Sequence, residues 1–321
     1  MPPRNMAQPP APLLQGPPYP PTVAGLGGTP AVLPDMPVSA VFMALFACTA
    51  VINMTILIRN RRRGHKFMIS MGMFMFSVAR VATLAVRVAW AADPRNAHLA
   101  LAGTILVNAG VLVLYIINFL LAQRILRARR PSIGWHPALR VGFRAVYILM
   151  AAALVMVIIA TVVGAYSLNP HTRQVCRALQ LTAATYFLLV AVLPVILLVV
   201  AALTPLHKGD MVETFGTGSM RAKAAVVAVT TTYCLAIAEF RAGAAWARPR
   251  SLSNPAWFHS KPAFYVFLFA FEIITLAILT SSRIDRLFHI PNGSKGPGDY
   301  TYGTSGAAAG DGQGDGAAKK G

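Results

Sequence analysis

The sequence predicts an all-α integral membrane bundle of seven transmembrane helices, N-out and C-in, and three observations carry that reading. The first is composition. Hydrophobic residues make up 56% of the chain and charged residues 12%, with a mean hydropathy of +0.57, where a soluble domain carries roughly 25% charged residues. The second is that seven apolar stretches, each long enough for the ~20 residues that a spanning helix needs, are divided by polar, Pro- or Gly-bearing connections. The third is the placement of charge. Of the 29 lysines and arginines, 18 fall after spans one, three, five and seven, and 6 precede the first span or follow the second, fourth and sixth. Cytosolic connections carry the excess of Lys and Arg in membrane proteins, so the N-terminus is expected outside. The same distribution accounts for the net charge of +19. Its implied partner is the anionic inner leaflet of the lipid bilayer, not nucleic acid.

Taken in order, residues 1–37 are rich in Pro, Gly and Ala with one basic residue, Arg4, and read as a disordered extracellular tail. Span one, 38–58, is followed at once by Arg59, Arg61, Arg62, Arg63 and Lys66, a cluster that should hold its far end in the cytosol. Span two, 67–92, carries Arg80 and Arg87. Span three, 98–121, carries Asn108, Tyr115 and Asn118, and span four, 141–166, has Arg144 within reach of the headgroups. Span five, 176–203, holds Arg177 near its start, then Gln180, Tyr186 and the helix-kinking Pro194. Span six, 222–246, contains Thr230 to Tyr233, Glu239 and Arg241, and span seven, 262–282, contains Glu272. Residues 38–289 thus form the transmembrane domain, and the Gly-rich stretch 290–321 reads as a disordered cytosolic tail. The spans are long, which points to the plasma membrane over thinner internal membranes.

Charges within spans are the candidate site. A guanidinium at membrane depth costs at least ~2.5 kcal/mol unless it finds a partner or water. Arg80 lies 13 residues into span two and Glu272 lies 10 residues into span seven, so at ~1.5 Å per residue both come near mid-membrane. The expectation is a mid-depth pair of Arg80 with Glu272 and an outer cluster of Arg87, Glu239 and Arg241. Such groups either fix helix register or bind a ligand or ion. The hydroxyl and amide side chains in the spans read as hydrogen bonds between helices. In the outer loop, Trp246, Trp257, Phe258 and Lys261 are candidate recognition residues, with an aromatic belt at the interface as the plainer reading. Beyond span seven, Arg283 to Ile290 suggests a short amphipathic segment on the inner leaflet.

Other chemistry is not legible. The sequence has no H-E-x-x-H, G-x-S-x-G or phosphate loop, and no lysine within span seven for a retinal Schiff base. The seven histidines lie in connections or at span edges, and three cysteines are too few for a disulfide framework. The expectation is a protein without catalysis, metal or cofactor.

The stretch EFRAGAAWARPRSLSNPAWFHSKPAFYVFLFAFEI, from Glu239, and RIDRLFHIPNGSKGPGDY, from Arg283, resemble a fungal seven-helix membrane family of unknown function. Members of that family are often labelled family C-like G-protein-coupled receptors. Matching positions include Glu239, Arg241, Trp246, Trp257, Lys261, Glu272, Asp285, Pro291 and Asn292. The chain is more distantly similar to fungal lipid-translocating proteins of the 7-aminocholesterol-resistance type. It departs from the rhodopsin-type pattern, because AQRILRARR at the end of span three has no acidic residue before the arginine and span seven has no NPxxY. The resemblance implies a receptor-like sensor of an unknown small-molecule or lipid ligand, with a heterotrimeric G protein as candidate partner. The alternatives are a lipid or small-solute transporter and a non-catalytic membrane scaffold.

Overall fold

The computed structural model describes residues 16–21, 23–65, 67–205, 212–294 and 296–302. Among these residues the structure is helical, with one isolated antiparallel bridge between Val23 and Ser251. Seven helices are long and apolar enough to cross a membrane, which makes this a multi-pass membrane protein. Helix α1 spans Val32–Arg62 and α2 spans Met68–Ala92. The third crossing is made of two helices, α3 Ala97–Gly110 and α4 Leu112–Arg129. After the short α5, Pro131–Gly134, come α6 Pro137–Tyr166, α7 Pro170–Leu203 and α8 Met220–Trp246. The seventh crossing runs from α9, Lys261–Tyr265, through a π-helical turn at Val266–Ala270 into α10, Phe271–Ser281. Two short helices follow, α11 Ile284–Leu287 and α12 Asp299–Tyr302.

Local chemistry sets the helix starts. Asn96, Asn169, Ser219 and Ser260 each accept a hydrogen bond from a backbone N–H of the first turn, satisfying donors that the helix itself cannot. Pro137, Pro170 and Pro262 sit in first turns, where no N–H is needed. Several helices therefore begin earlier than hydropathy suggests. The largest extensions are at α1, which starts at Val32 where the sequence suggested 38, and at α7, which starts at Pro170 where it suggested 176. Asp35 accepts from Ala31 N at 2.9 Å, and a carboxylate is favoured at a helix N-terminus.

Packing puts α4 at the centre. It touches α2, α7 and α8, and Leu114, Tyr115, Leu121, Ala122 and Leu126 are all buried. By contrast Ile148, Leu149 and Val155 of α6 and Leu189 and Ile196 of α7 are exposed. An apolar face turned outward suits hydrocarbon and not water.

Both termini are more ordered than their composition suggests. Residues 23–31 lie across one end of the bundle, hereafter the N-terminal face, where Ala24 N donates to Arg250 O at 2.9 Å. Of the stretch expected as a disordered tail, 23–31 thus lie against the bundle and 32–37 begin α1; residues 1–15 and 22 lie outside the described residues. At the other end, Glu213 accepts from Gly298 N at 2.9 Å and Tyr300 N at 3.0 Å. The Tyr300 ring is buried, 5.6 Å from the rings of Trp135 and of Phe215. Of the stretch expected as a disordered tail, 296–302 thus lie against this end of the bundle; 295 and 303–321 lie outside the described residues.

The stretch after span seven is corrected too. Arg283, at φ 48°, ends the helix in the left-handed region, and α11 then tucks under the bundle. Asp285 is buried and accepts from Asn60 Nδ2 at 3.2 Å, while the buried Phe288 offers its carbonyl to Arg124 at 2.7 Å. A segment lying on a leaflet would keep those groups outside. The chain passes so close to Gly216 that a Cβ there would clash with the Leu287 carbonyl oxygen.

Candidate functional site

Arg80 and Glu272 form the mid-depth ion pair, Nη2 to Oε1 at 2.5 Å, and are only 1% and 0% exposed. Sequence depth brings them to one level, and the neighbours explain how a guanidinium is held there. Arg80 Nη1 donates to the carbonyls of Leu106 and Val107, both at 3.3 Å. Val107 sits in the last turn of α3, beside the interruption at Val111, and Leu106 just before it. Helix ends leave carbonyls without intrahelical partners, so the break frees the Val107 acceptor at membrane depth. Gly110 makes the approach possible, because a Cβ there would lie 2.8 Å from the Arg80 guanidinium. The rings of Phe76 and Phe269 flank the same cation at 5.3 and 5.7 Å, an attractive arrangement when desolvated.

The outer cluster assembles differently from the expected trio. Arg87 pairs with Asp35, Nη2 to Oδ1 at 2.7 Å, and also donates to Gly27 O at 2.9 Å. Lys261 Nζ binds the other oxygen of Asp35 at 2.5 Å, and Tyr265 OH donates to Oδ1 at 2.8 Å. The Arg87 guanidinium stacks 4.1 Å from the Phe264 ring. Asp35 is thus the missing counter-charge. Its Pro/Gly-rich surroundings hide it in the sequence, yet its place immediately before the first apolar run is a readable signal. Lys261, expected in loop recognition, is instead a clamp between span seven and the N-terminal segment.

Glu239 takes no part in this. It is exposed, and among the described residues it makes no ion pair. Residues two apart on an α-helix point about 200° apart, so when Arg241 turns inward Glu239 must turn outward. Arg241 does turn inward: Nη1 donates to Asn108 Oδ1 at 3.0 Å, and Nη2 donates to the Val107 carbonyl. The carbonyl oxygen of Val107 therefore receives both Arg80 and Arg241, using its two lone pairs.

Beside Arg241 lies a cavity of about 270 Å³. Its polar wall is made by Thr104, Asn108, Tyr115, Thr161, Gln180 and Arg241, and Ala24 to Leu26 and His259 close its N-terminal end. Two buried polar atoms on this wall, Arg241 Nε and the Tyr115 hydroxyl, have no hydrogen-bond partner. His259, in the connection before α9, has its pKa lowered by burial and by nearby Arg250, which favours the neutral ring. A larger open groove of about 540 Å³ between α6 and α7 is lined by alanines, Val155, Met156, Ile159 and Leu179; it offers no polar group.

Other intramembrane polar residues join helices. Asn118 accepts from Thr230 at 2.5 Å and donates to Cys234 Sγ at 3.2 Å, tying α4 to α8. Gln180 donates to Thr161 at 3.2 Å and Tyr186 to Val146 O at 3.0 Å, tying α7 to α6. In the loop, Trp246 and Trp257 are exposed. Trp246 Nε1 donates to Thr185 at 3.0 Å, and the Trp257 ring meets Phe258 edge-on at 5.9 Å and Phe240 at a tilt at 6.2 Å. Amphipathic rings at a helix end suit a membrane interface.

No family model, curated protein or solved structure matches the chain.

Proposed function

We propose that this protein is a receptor-like seven-helix sensor whose ligand occupies the cavity beside Arg241. One observation carries the reading: the Val107 carbonyl accepts from Arg241 in the cavity wall and from Arg80 in the bundle centre. A ligand that draws on Arg241 changes the hydrogen bonds of Val107, and hence the setting of the Arg80–Glu272 pair. That pair joins α2 to α10, so the change reaches helices that run to the opposite end of the bundle. A signal needs such an element, one whose arrangement both ends bias.

The orientation proposed is N-out and C-in, in the plasma membrane, following the Lys and Arg asymmetry. The cavity then lies towards the outside, and the face formed by α5, α11 and the 212–219 connection meets a cytosolic partner, for which a heterotrimeric G protein is the candidate. The resemblance of the Glu239 and Arg283 stretches to the fungal seven-helix family belongs to the same reading. The test is a pull-down of G protein by the purified chain in nanodiscs, with and without a non-hydrolysable GTP analogue. Retention released by the nucleotide is the expected result. No retention, where a known receptor succeeds, overturns the coupling.

A second reading is a translocator of lipid or a small solute. What favours it is Glu272 Oε2, a buried carboxylate oxygen without a partner, next to the π turn at Val266–Ala270, a kind of irregularity often found at functional sites. Flux in vesicles containing the purified protein alone, lost in Glu272→Gln, distinguishes it.

A further inference from the structure

The cavity beside Arg241 carries an unbalanced positive charge. Two inward-facing guanidiniums, Arg80 and Arg241, share this part of the bundle with one carboxylate, Glu272, and Arg80 holds that carboxylate at 2.5 Å. The acceptors of Arg241 are an amide oxygen and a backbone carbonyl, both neutral. Among the described residues no carboxylate lies within ion-pair distance of it, and Glu239 faces away, exposed. A cation at membrane depth without a counter-charge is costly. The cheapest remedy is an anion from elsewhere.

The walls say what kind. Beside the polar groups, Val157, Phe187 and Ala238 give the same lining apolar surface. A volume near 270 Å³ is at the small end of ligand pockets, which run from about 300 Å³ upward. We infer that the cavity binds a small amphiphile with a single anionic head, its head on Arg241 and its short apolar body against Val157, Phe187 and Ala238. The inference rests on the ligand-binding reading above and names the ligand's chemistry. One negative charge balances the surplus, and a neutral head leaves Arg241 uncompensated. A cationic head is repelled. Tyr115, whose hydroxyl is unpartnered on the same wall, supplies a further donor to the head. Ala24 to Leu26 cover the cavity at the N-terminal face.

The experiment uses the full chain in zwitterionic nanodiscs, titrated with decanoate, decanol and decyltrimethylammonium. Binding is read by calorimetry and by the shift in thermal midpoint. Saturable binding of decanoate, absent with the other two, is expected. Arg241→Gln should weaken decanoate binding about tenfold or more, the scale of a lost charge-assisted hydrogen bond, while Arg241→Lys retains part of it. Glu239→Gln should bind as the parent does. Equal shifts from all three compounds, or unaltered decanoate binding in Arg241→Gln, overturn the inference as mere partitioning. If Arg241→Gln does not fold, Arg241→Lys and Tyr115→Phe carry the test, each expected to weaken decanoate binding and not decanol partitioning; no weakening in either overturns it. Repeating the titration with phosphatidylglycerol in the nanodisc separates sources of the head. Competition assigns it to a bilayer lipid, and its absence to a free amphiphile; both support the anion. Anion binding without G-protein retention defeats the sensor reading alone, and retention without anion preference defeats this inference alone.

Discussion

Arg87 Nη2 lies 2.7 Å from Asp35 Oδ1, an ion pair that fastens the first turn of α1 to the last third of α2. The carboxylate is 0% exposed and also binds Lys261 at 2.5 Å, so one acid answers two cations from different helices. With Gly27 O held by the same arginine, the pair decides that the N-terminal segment covers the bundle.

Asp35→Asn should therefore be among the most damaging single substitutions. It leaves the buried Arg87 without a counter-charge, and removing one member of a buried pair costs about 3 kcal/mol or more. Thermal unfolding in detergent or nanodiscs measures the loss, and Asp35→Asn combined with Arg87→Gln should recover part of it. A variant as stable as the parent would show that the pair contributes nothing.

Glu272→Gln and Glu239→Gln should separate sharply although both remove a carboxylate from a spanning helix. The first strands Arg80 and should lower folded yield and thermal stability, with a cost of about 3 kcal/mol. The second changes an exposed side chain and should stay within about 0.5 kcal/mol of the parent. Arg80→Gln with Glu272→Gln should be more stable than either single change. Exchanging the two charges should rescue less well, because a carboxylate at position 80 would face the carbonyls that Arg80 now binds.

Gly110→Ala tests the seat of Arg80. The new methyl would meet the guanidinium at 2.8 Å, and that guanidinium is fixed by Glu272 and two carbonyls. Overpacking a constrained site costs about 1–3 kcal/mol. Stability equal to the parent would mean that Arg80 can shift freely.

His289 gives a pH dependence at the other end of the molecule. Its ring lies 4.4 Å from that of His65, and its pKa is lowered by burial first, then by the His65 and Arg124 charges. The unfolded chain then takes up a proton before the folded one does. Stability is highest above the ordinary histidine value of about 6.5 and falls as pH drops from there through the lowered folded-state value. Melting curves across this range should show a shallower decline for His289→Gln than for the parent.

Much of this protein is local chemistry. The seven crossings follow from runs of apolar residues, which one stretch of chain displays by itself. The shared mid-membrane depth of Arg80 and Glu272 follows from counting residues along two helices at a fixed rise. Even the outward turn of Glu239 was latent in its spacing from Arg241, since the helical period separates their directions.

The tertiary structure alone decided the partners. Asp35 could be placed with Arg87 and Lys261 only once α1, α2 and α9 met at the N-terminal face, and composition had assigned its segment to an unfolded tail. The sharing of the Val107 carbonyl depends on the interruption between α3 and α4, within an apolar run that hydropathy reads as unbroken. Apolar character sets how deep a residue sits. Which side chain it meets depends on helix rotation and neighbour order, and those are fixed by the packing of the whole bundle.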